Sequence, residues 1–151
     1  MKPATLQVGI AFVLAIGCAS AQSRGTATQS PSKRATCGIE GFTESPSEHM
    51  VVELEQPFRV RSVEGTITSQ GGDWPEGIFV LLELRSADGG AGALKQAKTD
   101  AWGAFKIPDV PPGEYCFKAT AEGWQSAVGV IVVSATADPT SKVSFEMLLG
   151  V

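Results

Sequence analysis

From residue 50 onward, apolar and polar side chains take turns along most of this chain. Val52 and Leu54 alternate with Glu53 and Glu55, and Phe58 and Val60 alternate with Arg59 and Arg61. Parity then shifts, because Val63, Gly65 and Ile67 fall on the other count. One extra residue produces such a shift, which predicts a bulge or a change of sheet near Ser62. Period-two alternation marks strands with one buried face. The pattern predicts strands over 63–68, 78–85, 93–99, 104–107, 114–121, 127–134 and 142–149. The last is a clean alternation, with Val143, Phe145, Met147 and Leu149 on one face and Ser144, Glu146 and Leu148 on the other. Gly, Asp and Pro content makes 86–92 and 135–141 loops. No window beyond residue 21 shows a helical apolar period with caps. The expected fold is all-β, a seven-stranded antiparallel sandwich of Greek-key type.

The densest signal lies in residues 99–124, TDAWGAFKIPDVPPGEYCFKATAEGW. Gly103 can take positive φ without steric cost, as a tight hairpin requires. Asp100 can accept backbone N–H groups across that turn. In Pro111-Pro112-Gly113, proline fixes one φ and glycine is expected to take the left-handed position of a type II turn. The pattern Thr-Asp-x-x-Gly-x-Phe, then Pro-Pro-Gly-x-Tyr-x-Phe-x-Ala-x-Ala-x-Gly-Trp, resembles the carboxypeptidase regulatory-like domain. The resemblance is strong over 99–124, fair over 63–149, and does not extend to residues 1–50. It implies a transthyretin-like, or prealbumin-like, β-sandwich of the carbohydrate-binding-like fold group. It also implies a non-catalytic role, since the likeness is to the appended domain of carboxypeptidases and not to their peptidase unit. Where the family usually carries a Pro-Ile-Pro-Gly-Ala type approach, this chain has Asp73-Trp74-Pro75-Glu76-Gly77.

Residues 1–21 read as a secretory signal, with Lys2, an apolar core over 8–16 and Ala19-Ser20-Ala21 as a small-x-small cleavage site. The apolar run is too short to cross a bilayer as a helix. The competing reading is lipoprotein processing at Cys18, after Ala15-Ile16-Gly17, which would anchor the protein to the envelope membrane. Residues 22–47 are rich in Ser, Thr, Gln, Gly and Pro, which predicts a flexible lead. The sandwich domain is then 48–151. Export leaves Cys37 and Cys116 as a pair in an oxidising compartment, suggesting a disulfide over the alternative of two free thiols. Parity supports it: Tyr115, Phe117 and Ala119 share the core face, so Cys116 points outward with Lys118 and Thr120. Closing so long a loop would contribute about 3–5 kcal/mol by chain-entropy arguments.

Chemistry is sparse. The single histidine, His49, lies in a polar stretch outside the recognised domain, without a base–nucleophile motif around it. There is no zinc-ligand spacing. Asp73, Asp88, Asp100 and Asp109 are scattered among loops, without the spacing of a calcium loop. A net charge of −4 and the absence of a basic stripe argue against nucleic acid. The sequence therefore predicts no enzyme, no cofactor and no metal. The tryptophans are the sharper feature. Trp74, Trp102 and Trp124 fall in the first, third and fifth connections counted from the strand at Val63, which alternating strands would bring to one pole. The expected function is a secreted or periplasmic interaction module with an extracytoplasmic protein partner. The alternative is a carbohydrate-binding module stacking a glycan on those three rings.

Overall fold

The computed structural model describes residues 37–45, 50–89 and 94–150. Cys18, His49 and the expected signal lie outside them. The strands are β1 (Val51–Glu53), β2 (Phe58–Val60), β3 (Val63–Ser69), β4 (Leu81–Ser86), β5 (Lys95–Lys98), β6 (Ala104–Ile107), β7 (Gly113–Thr120), β8 (Ser126–Val133) and β9 (Val143–Met147). They form two sheets, ordered β1-β8-β7-β4-β5 with β2 also on β8, and β6-β3-β9. The all-β sandwich is as expected, with nine strands among the described residues in place of seven.

The two additional strands arise from the alternating runs before Ser62. Both are short and lie along the same edge of β8, with Val51 opposite Ser126 and Phe58 opposite Ile131. Pro57 sits between them, without an N–H to give to a ladder. The parity shift at Ser62 proves to be a change of sheet: β2 belongs to the larger sheet and β3 to the smaller. The purely antiparallel expectation is corrected. β1 and β2 run parallel to β8, and β3 runs parallel to β9. From β3 to β9 the strands alternate direction, so parallel neighbours occur wherever strands of like parity meet.

Alternation delivers one face of each strand to the core. Ile67, Leu82, Leu84, Phe117, Ile131, Val143 and Met147 are all buried between the sheets. Phe58, Phe117 and Phe145 form a tilted aromatic cluster with centroids 5.5–6.0 Å apart.

Two turn expectations change. Asp100–Gly103 is not a hairpin, because β5 pairs with β4 and β6 pairs with β3. It carries the chain from one sheet to the other. Gly113 is not left-handed either; it is the first residue of β7, opposite Val133. The left-handed residue of that connection is Asp109, at φ 52°. Successive prolines hold the residues before them extended, so the chain must turn earlier. Aspartate tolerates the left-handed region better than most residues.

Candidate functional site

The three tryptophans do meet at one pole, but they do not make one surface. Trp74 and Trp124 are 9% and 7% exposed. Their rings lie 5.0 Å apart, tilted by 53°, and close the end of the core. Trp74 Nε1 donates to the Ile67 carbonyl at 2.7 Å. Trp124 forms a backbone bridge with Leu149. Two of the three expected ligand-contact residues are thus core residues, and the coplanar aromatic platform expected for sugar stacking is not present.

Trp102 is different, at 81% exposed. The turn beneath it is firmly built. Asp100 Oδ1 accepts from the Trp102 and Ala104 amides at 2.9 and 2.8 Å, as its turn position predicts. Gly103 has φ 80°, and a Cβ there would stand 2.0 Å from the Ile67 carbonyl oxygen. Only glycine fits so close to the neighbouring strand. Beside the indole is a cleft of about 280 Å³ lined by Thr68, Gly72, Asp73, Trp74, Ala101 and Trp102.

The second notable site lies on the outer face of the larger sheet. Cys37 and Cys116 are joined by a disulfide, with Cα atoms 5.4 Å apart. Cys116 points outward, as strand parity predicts. The disulfide begins a strap, residues 37–45, that crosses β7 and β4. This part of the expected flexible lead is packed against the domain, with Cys37 and Phe42 buried. Arg85 stacks its guanidinium 5.8 Å from the Phe42 ring centroid and donates to the Glu40 carbonyl at 3.1 Å. Gly41, at φ 77°, leaves the space that the Arg85 guanidinium fills.

Beneath the strap, Glu83 and Lys118 face each other in register across β4 and β7. Both have no exposed surface. Thr43 serves both. Its amide donates to Glu83 Oε2 at 3.0 Å and its hydroxyl to Oε1 at 2.7 Å. Its carbonyl accepts from Lys118 Nζ at 2.7 Å. Burial pulls the Lys118 ammonium below its ordinary range, and the Glu44 charge partly offsets this. Sequence reasoning placed Lys118 on the outward face and missed its cover. The available signal was Ile39 and Phe42, the large apolar residues of an otherwise polar lead, beside Cys37.

On the smaller sheet, Glu64 pairs with Lys142 and, at 3.3 Å, with Lys106. Among the described residues, no group of three or more His, Cys, Asp or Glu side chains is arranged to share a cation. Asp88 and Asp100 direct carboxylate oxygens to Ser86 and to turn amides respectively.

Two facing sheets, a core of alternating apolar residues and an aromatic cap define a small β-sandwich module. The chain belongs to the carboxypeptidase regulatory-like domain family, whose profile matches residues 62–147. No curated protein matches it. The match includes Cys116 and excludes β1, β2 and the strap with Cys37.

Proposed function

We propose that this chain is an exported, non-catalytic β-sandwich module that works by contact with an extracytoplasmic protein, and that Trp102 is its contact residue. The observation that carries the reading is an indole 81% exposed on a turn braced by Asp100 and Gly103. Large aromatics dominate the energetics of protein interfaces, and a pre-organised anchor loses little conformational entropy on binding. Export is supported by the Cys37–Cys116 disulfide, since such bonds persist in oxidising compartments. A non-catalytic role is supported by Glu83 and Lys118, the buried ionisable pair, which are engaged by the strap.

The carbohydrate reading narrows to one ring. Thr68 and Asp73 line the cleft beside Trp102, so polar residues adjoin an apolar ring there, a pairing suited to a sugar. The test is a photo-crosslinking residue at position 102 of the full chain, produced in its host. A discrete protein adduct that is absent when the same residue stands at exposed Thr140 supports protein contact. Absence of an adduct, with Trp102-dependent retention on a glycan array, moves the assignment to carbohydrate. If neither an adduct nor Trp102-dependent glycan retention is obtained, Trp102 has no contact role and the proposal fails.

A further inference from the structure

We propose that residues 37–45 are a redox-held strap, and that reduction of the Cys37–Cys116 disulfide by a dithiol lifts it from the sheet and uncovers Glu83 and Lys118. The argument begins with the surface underneath. Leu81, Glu83 and Arg85 of β4, with Thr120, Lys118 and Cys116 opposite them in β7, form the part of the outward face that the strap crosses, and Val128 and Val130 of β8 lie beyond them. Polar and charged groups predominate on that β4–β7 part, and a cross-strand Glu–Lys pair is an ordinary solvent-facing arrangement. The core lies on the other side of the sheet. Lifting the strap therefore exposes mainly hydrophilic surface and leaves the interior sealed.

The covered state, by contrast, depends on the strap. Two charges are taken out of water, which is costly unless their hydrogen bonds are met. Thr43 meets several of them at once, through its amide, hydroxyl and carbonyl. The strap is also held by the Phe42–Arg85 stack, the Arg85 bond to Glu40 and the disulfide. Both positions of the strap thus satisfy the groups beneath it, either with Thr43 or with water, and the covalent bond biases the choice. The strap also lies outside residues 62–147, the part of the chain that matches the family profile. The sandwich motif is complete without it.

The disulfide can be approached. A cleft of about 240 Å³, lined by Glu40, Phe42, Arg85, Gly89 and Cys116 among others, opens on the Cys116 side. An incoming thiolate attacks Cys116 Sγ, the S–S bond breaks, and Cys37 leaves as a thiolate that takes up a proton. The second thiol of the dithiol then attacks the mixed disulfide and expels the Cys116 thiolate, which is protonated in turn. Two electrons pass to the protein and the dithiol becomes a disulfide. The first attack already frees the strap's end. Arg85 lies opposite Cys116 in register and favours the thiolate released there in the second step.

The test compares the full chain oxidised, treated with dithiothreitol, and as Cys37→Ser. Amide exchange is read at Thr43 and in β4 and β7, and Lys118 acylation by an N-hydroxysuccinimide ester is read by mass spectrometry. On reduction, Thr43 exchange and Lys118 acylation are expected to rise by about tenfold or more, while core amides stay protected. Cys37→Ser should reproduce this without reductant. Unchanged Thr43 protection with unreactive Lys118 overturns the proposal, because the strap is then held without the bond. Collapse of core protection to the level of the strap also overturns it, because the sandwich then does not stand without the bond.

Discussion

Thr43 shows how much one residue can settle. Its amide and hydroxyl donate to Glu83 and its carbonyl accepts from Lys118, all within a closed interface. Such pairs are worth little as attraction and cost much when halved. Lys118→Met should therefore destabilise the oxidised protein by about 3 kcal/mol, because it strands the Glu83 carboxylate. Glu83→Leu combined with Lys118→Met should recover most of that loss. Urea denaturation of the two variants beside the parent checks both. A single variant no worse than the double would mean that Glu83 is not dependent on its lysine. Other single residues were legible from sequence: Cys116 by parity, Asp100 and Gly103 by turn chemistry. Glu83 was not, because alternation tells which face a side chain takes and says nothing of what later covers that face. Gly113 misled for a related reason. A glycine after two prolines fits a left-handed turn, but the prolines had already displaced the turn to Asp109.

At the scale of elements, period-two patterning located β3 to β9 within a few residues, and a parity shift located the crossing between sheets. It could not supply partners. The parallel pairing of β1 and β2 with β8 depends on chain direction and edge availability, neither of which a local pattern encodes. The outer face of the smaller sheet illustrates a property that belongs to three strands together. Glu64 of β3 lies between Lys106 of β6 and Lys142, just ahead of β9. Hydrogen bonds from Lys142 and then Lys106 lower the Glu64 carboxyl to about 2. Its folded value is depressed, so its stabilising contribution is present above the ordinary carboxylate range and is lost as pH falls toward 2. Glu64→Gln should flatten the acid limb of a stability–pH curve between about pH 4.5 and 2 by modestly lowering the plateau above that window, with stability near pH 2 little changed. Thermal melts at closely spaced pH values measure this. An unaltered acid limb would show that the two lysines do not hold the carboxylate.

The whole molecule is closed by one long covalent loop, since the bonded cysteines are 79 residues apart in sequence. Constraining a denatured chain over that span contributes about 4.5 kcal/mol in the chain-entropy treatment. Reduction should lower the denaturation midpoint measurably while leaving a single cooperative transition, which calorimetry with and without dithiothreitol resolves. A two-step transition in the reduced protein would mean that the loop, and not the core, unites the sheets. The sequence-level pairing of Cys37 with Cys116 was within reach because only two cysteines remain after Cys18. That the connecting segment would be packed against a sheet was not, since residues 37–45 have the composition of a linker.

The attachment point of that loop decides how the domain would carry mechanical load. Cys116 stands in β7, an interior strand flanked by β4 and β8, so tension entering at residue 37 passes straight to the middle of the larger sheet. The thin edge strands β1 and β2, which would otherwise peel first, are spared. All of residues 38–115 lie inside the closed loop and bear no pull, and only the chain beyond Cys116 can be drawn out while the bond is intact. Cutting the bond moves the point of failure to the edge, and β1 to β6 join the extensible length.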